Sequence, residues 1–106
     1  MDGYLLTLFT HQDRRHGHQP LHEWLLDAAR GLGLRGGTVV TAAESFGHNG
    51  RRHSAHFFEL ADQPVEVQLA LTAGQLQDFF ALLARERVEV FYVTTRVEFG
   101  TTGQPG

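Results

Sequence analysis

The 106-residue sequence contains no cysteine, which excludes disulfides, thiolate metal sites and cysteine nucleophiles. It also lacks an apolar run of about 18 residues and an N-terminal signal pattern, so we expect a cytoplasmic protein with no direct membrane insertion. No basic run is interleaved with aromatic residues, and the formal net charge is -3, so we expect no nucleic-acid partner. The remaining composition, 42% hydrophobic and 20% charged, is typical of a globular domain.

Apolar periodicity predicts a sheet interleaved with two helices. Tyr4–Thr10 is apolar on both sides, as in a central strand. A helix is predicted from Pro20, with apolar residues at helical spacing, and Gly33 is placed to end it in the left-handed conformation. The later elements, in order, are a strand with alternating apolar residues at Val65–Leu71, a helix after a Thr72–Gln75 capping box, and a closing strand at Val88–Val97.

Between the first helix and Val65 the sequence predicts a long β-hairpin. Its strands are Gly37–Phe46 and Arg51–Leu60, joined by the glycine turn Gly47–Gly50. The polar segment His11–Gln19 is predicted to be a loop. The whole order predicts an α+β fold, a ferredoxin-like βαββαβ sandwich with an additional β-hairpin strand and two helices on one face of an antiparallel sheet. We expect one domain at residues 1–100 and a flexible tail at residues 101–106.

With both helices on one side, the other face of the sheet has no cover within one chain. We predict that Leu5, Phe9 and Tyr92 lie on that face. Because such a surface is too apolar to remain in water, we expect an oligomer to bury it.

Three segments of the sequence resemble PII-like proteins, specifically the PII-related family of unknown function numbered 190. They are PLHEWLLDAARGLGL from Pro20, GLRGGTVVTAAESFGHNGRRHS at Gly33–Ser54, and Pro64 followed by VEVQLAL. The second segment contains a G-x-x-G-x-T-V start and an F-G-x-x-G end around one strand. The resemblance covers residues 4 to 98 and implies a ferredoxin-like protomer in a homotrimer, with ligand sites in the clefts between subunits.

In PII signalling proteins these two motifs border an adenine-nucleotide site. By position, the resemblance implies that Thr38 lies near the base and that the turn after Phe46 meets the phosphates, where arginines could form planar, bidentate contacts. The ligand-binding residues implied are Thr38, Phe46, Gly47, His48, Asn49, Arg51, Arg52 and His53. One family element is absent, because the Gly-Lys segment before the last strand is replaced here by ARERVEVFYV.

The resemblance therefore predicts a signalling or sensor protein that is not an enzyme. A small anionic ligand, such as an adenine nucleotide, would order the Phe46–His53 turn and change its affinity for a regulated partner protein, a transporter or an enzyme. No G-x-S-x-G elbow or oriented base accompanies Ser45 or Ser54.

Two alternatives remain open on the sequence. The first is a trimer similar to the CutA proteins that binds a divalent metal ion, because imidazoles are competent ligands for zinc, copper or nickel. Its candidate ligands are His11, His16, His18 and His22. The second is a small hydrolase or isomerase that uses a histidine base.

Overall fold

The computed structural model describes residues 1–34, 36–41, 44–46, 52–54 and 63–103, and for residues 44–46 and 52–54 it describes the backbone only. The elements in chain order are β1 Asp2–His11, β2 Arg15–His16, β3 Gln19–Pro20, α1 Leu21–Gly31, β4 Gly37–Thr41, β5 Glu44–Phe46, β6 Arg52–Ser54, β7 Pro64–Leu71, α2 Ala73–Arg85 and β8 Phe91–Glu98. Neither described helix is long and apolar enough to cross a membrane.

Four strands form the main sheet in the order β4–β7–β1–β8, and every neighbouring pair is antiparallel. The predicted central position of the first strand is therefore confirmed. Both helices pack on one face of this sheet, so the predicted ferredoxin-like α+β fold is also confirmed.

The hydrophobic core lies between the helices and the central strands. Leu6 is opposite Leu69 and Leu8 is opposite Val67, and all four side chains are fully buried. They pack with residues of both helices, among them Leu21, Leu25, Phe79 and Leu83. The predicted alternation in β7 is confirmed, because its odd-numbered residues face this core and Glu66 and Gln68 do not.

Both predicted helix-boundary signals are present. Gly33 follows α1 with φ +83°, a conformation that favours glycine. The Thr72 hydroxyl accepts a hydrogen bond from the Gln75 backbone N–H (3.2 Å), and the Gln75 side chain accepts one from the Thr72 N–H (2.9 Å). This capping box fixes the start of α2 directly after β7.

The closing strand begins three residues later than predicted, at Phe91 instead of Val88. Helix α2 ends at Arg85, and Arg87 takes the left-handed conformation with φ +58°. The Val88 N–H then donates to the Leu83 carbonyl oxygen (2.9 Å), which draws Val88 against the core. Residues 88–90 therefore connect the C-terminal end of α2 to the sheet and are not part of β8.

The predicted loop at His11–Gln19 is partly ordered as strand, which corrects that prediction. His11 ends β1, and the two-residue strands β2 and β3 pair around a turn at Gly17 and His18. Gly17 has φ +64°, so a glycine suits this tight turn.

The predicted long hairpin is described only in part. Its first strand is divided into β4 and β5, and β5 pairs antiparallel with β6 in a separate two-stranded sheet. The predicted glycine turn at residues 47–50 lies outside the described residues, as does the second strand beyond Ser54.

The face of the sheet that is opposite the helices, here named the open face, carries several exposed apolar side chains. Phe9 lies on it as predicted, with its ring centroid 5.5 Å from that of Phe91, and Leu5 lies on it four residues earlier in β1. The placement of Tyr92 on this face is wrong. Tyr92 is opposite the buried Leu8, and its ring centroid lies 4.7 Å from that of Phe80 in α2, on the covered side.

Candidate functional site

Thr38 is placed by its glycine neighbour in β4, an edge strand among the described elements. A Cβ atom on Gly37 would come within 2.7 Å of a Leu69 methyl and 2.9 Å of a Leu26 methyl. Gly37 therefore points toward the covered face, at a point where α1 packs closely on the sheet. Thr38, the next residue, is opposite Gln68 and points to the open face, where its side chain is exposed.

The open face extends from Thr38 across the whole sheet. In register order the row runs from Thr38 through Gln68 and Thr7 to Val93, whose side chain is 45% exposed. The neighbouring Phe9 and Phe91 are 36% and 60% exposed. Thr38 therefore lies at one edge of the open face, and Gln68 and Thr7 separate it from the exposed apolar group on β1 and β8.

β4 ends at Thr41, three residues after Thr38. Thr41 is level with Val65 and Thr10, so β4 ends at the end of the sheet where β1 also ends.

The β5–β6 register then places the backbone of Phe46 opposite Arg52 and that of Ser45 opposite His53. The backbones of three predicted ligand-binding residues, Phe46, Arg52 and His53, are thus brought together. Four others, Gly47, His48, Asn49 and Arg51, lie outside the described residues.

The His-rich segment occupies the same end of the sheet and is attached to the α2–β8 connection. The Arg14 guanidinium donates a hydrogen bond to the carbonyl oxygen of Glu89. The His16 Nε2 lies 3.1 Å from a carboxylate oxygen of Glu86, and the His16 ring centroid is 4.4 Å from that of Trp24. No local pattern predicts these contacts, because the two segments are about 70 residues apart in the chain.

The four candidate metal ligands have separate surroundings. His11 pairs with Asp13, and His16 pairs with Glu86. The backbone carbonyl of His18 accepts a hydrogen bond from Arg15, and the Nδ1 atom of His22 is buried with no hydrogen-bond partner among the described residues. Within that part of the chain, no three His, Asp or Glu side chains are grouped to hold a metal ion. A metal site formed by these histidines stays a prediction.

A small cavity of about 90 Å³ lies between α1 and the start of β4, on the covered side of the sheet. Its lining includes Leu26, Leu34, Gly36 and Gly37. This volume is several times smaller than the roughly 300–1,000 Å³ of pockets that enclose small molecules. Thr38 does not line this cavity, because its side chain is on the opposite face of the sheet, so the cavity is separate from the site predicted around Thr38.

Solved structures of PII-like proteins have the same fold as this chain. A PII-like signaling protein from Thermus thermophilus matches with a TM-score of 0.66 at 16% identity, over 91% of this chain and 87% of that one. CPII, a nitrogen regulatory PII-like protein from Thiomonas intermedia K12 bound to ADP, AMP and bicarbonate, matches with a TM-score of 0.64 at 18% identity, over 95% of this chain and 91% of that one.

The sequence assigns the family. Residues 3–99 match the model of the family described as DUF190, Uncharacterized ACR, COG1993, and the chain belongs to this family. A relative, the UPF0166 protein of Aquifex aeolicus (strain VF5), is 29% identical over 98 residues, which cover 84% of this chain and 93% of the relative. The resemblance noted from the motifs is therefore confirmed.

Proposed function

We propose that this protein is a PII-like regulator, and not an enzyme, that forms a homotrimer and binds a small anionic ligand in the clefts between subunits. The ligand class we propose is an adenine nucleotide, and binding would change the affinity of the hairpin for a regulated transporter or enzyme. The observation that supports this most directly is the position of Thr38 at the margin of the open face. A subunit packed on that face would turn the margin into a cleft.

The exposed apolar area favours association of protomers. Phe9, Phe91 and Val93 form a contiguous group on β1 and β8, and soluble monomers rarely leave large groups of this kind in water. Burying apolar area contributes about 25 cal/mol per Å², so covering these side chains stabilises an oligomer.

A site around Thr38 would be completed by a second subunit, because the Thr38 side chain is exposed on the open face. The binding of ADP and AMP by CPII, which has the same fold, supports an adenine nucleotide as the class of ligand.

The hairpin supplies the positive charge that a phosphate group requires. Arg51 and Arg52 follow the Gly47–Gly50 segment directly in the sequence, and arginine forms bidentate contacts with phosphate. A ligand held by both arginines and by Thr38 would favour one hairpin conformation over others. Partner regulation would then follow from the different affinities of these conformations for the partner.

Calorimetric titration with ATP, ADP and AMP tests the proposal. We expect saturable binding of at least one nucleotide, weakened about tenfold by Arg51→Gln or Arg52→Gln, because each removes a charge-assisted contact to phosphate. The matched control is Arg30→Gln, on the exposed side of α1, which should bind like the unaltered protein. Absence of heat with all three nucleotides at millimolar concentration would rule out the nucleotide.

A further inference from the structure

A second candidate site lies at the opposite end of the sheet from the hairpin. β1 begins and β8 ends there. Because α2 starts only at Ala73, it does not cover the residue pairs at this end of the covered face. The result is a groove of about 400 Å³, which is within the range of small-molecule sites.

Four polar side chains lie in two cross-strand pairs along the floor of this groove. Asp2 is directly opposite Glu98, and Tyr4 is directly opposite Arg96. All four alternate with the buried Leu6, so they project from the covered face on the same side as α2. Residues that are directly opposite have Cβ atoms about 5 Å apart, and the two rows are separated by about 7 Å.

Within the part of the chain that the structure describes, no ion pair balances the charges in this groove. Two carboxylates placed directly opposite each other on neighbouring strands destabilise a sheet. The ion pairs among the described residues include neither Asp2, Glu98 nor Arg96. The ammonium group of Met1 donates to the carbonyl oxygen of Phe99 (3.1 Å) instead of to a carboxylate.

We propose that this groove binds a free basic amino acid. Arg96, beside the first residues of α2, would take the α-carboxylate in a bidentate contact. Asp2 and Glu98 would take the α-ammonium and the side-chain cation. Such a ligand carries two positive charges and one negative charge, which match the two carboxylates and one guanidinium. A neutral amino acid would leave one carboxylate without a partner, and an acidic one would be repelled.

The pattern of charges distinguishes this site from the proposed nucleotide site. The hairpin combines arginines with glycines and suits phosphate, whereas this groove has a net negative charge. A polyphosphate is therefore an unsuitable ligand for the groove. The two proposals depend on different ends of the sheet and can fail independently.

Titration calorimetry on the full chain, with L-lysine as the probe, tests the groove. Three related compounds serve as comparisons: two lack one charged group of L-lysine, and the third has a net negative charge instead of a net positive one. Cadaverine lacks the carboxylate, 6-aminohexanoate lacks the α-ammonium, and L-glutamate carries a second carboxylate. We expect saturable binding of L-lysine, binding about tenfold weaker for the first two compounds, and none for L-glutamate.

Variants assign the binding to the groove. Arg96→Gln and Glu98→Gln should each weaken L-lysine binding about tenfold, while Arg85→Gln and Glu23→Gln, which are exposed outside the groove, should not. A melting curve for each variant checks folding, and Glu98→Gln remains informative if Arg96→Gln does not fold. The proposal is overturned if L-lysine produces no saturable heat at millimolar concentration, if L-glutamate binds equally well, or if both groove variants bind as the unaltered protein does.

Discussion

The two faces of the sheet carry similar apolar side chains in different surroundings. On the covered face, Leu6, Leu8 and Val67 have no solvent exposure, because both helices pack on them. On the open face, the side chains of Phe9 and Phe91 remain exposed. The covered face therefore accounts for the stability of the protomer. The open face is the surface through which we propose that protomers associate, and the proposed ligand cleft depends on that association.

Replacing adjacent leucines in β1 separates these two contributions most strongly. Leu6→Ala should lower the free energy of unfolding by about 2–5 kcal/mol, because it leaves a cavity inside the protomer. Leu5→Ala removes the same atoms from the open face, so its effect should act through association and decrease on dilution. Urea unfolding at two protein concentrations that differ by about a hundredfold measures both effects. Equal losses that do not change with dilution would contradict the distinction between the faces.

Adjacent glycines at the start of β4 give a smaller test of the same distinction. Gly37→Ala directs a methyl group at Leu26 and Leu69 on the covered side, and we expect a loss of about 1–3 kcal/mol. Gly36→Ala meets no atom of the described residues within 4 Å, and the loss of chain entropy in the unfolded state should raise stability by about 0.4–1 kcal/mol. Thermal unfolding compares them. A Gly37→Ala protein as stable as Gly36→Ala would show that α1 can shift without cost.

Features controlled by nearby residues were predictable from the sequence. The alternation in β7, the glycine after α1 and the capping box of Thr72 and Gln75 each depend on neighbours within a few positions, and the structure contains all three. The helices and central strands follow from them. The fold class could therefore be predicted before any coordinates were known.

Features controlled by distant pairing were not predictable. Phe91, Tyr92 and Val93 are all apolar, so only the register with β1 determines that Tyr92 faces α2 while its neighbours face outward. The late start of β8 depends on Arg87, a non-glycine residue in the left-handed region that has no sequence signature.

The candidate site shows the same division between local and distant control. The resemblance in the motifs predicts Thr38 and the hairpin as ligand-binding residues, because these residues lie close together in the sequence. The attachment of the His-rich segment to Glu86 and Glu89 brings together residues about 70 positions apart. The groove at Asp2 and Arg96 likewise requires the two ends of the chain to pair in one sheet.

The most direct test of the account is the molar mass in solution, measured by light scattering. We predict a mass about three times that of the 11.8-kDa protomer for the unaltered protein. Phe91→Asp, which places a charge on the open face, should yield the protomer mass, whereas Ala81→Asp on the exposed side of α2 should leave the mass unchanged. A monomeric unaltered protein, or a Phe91→Asp protein of unaltered mass, would contradict the assignment of the open face to subunit contact.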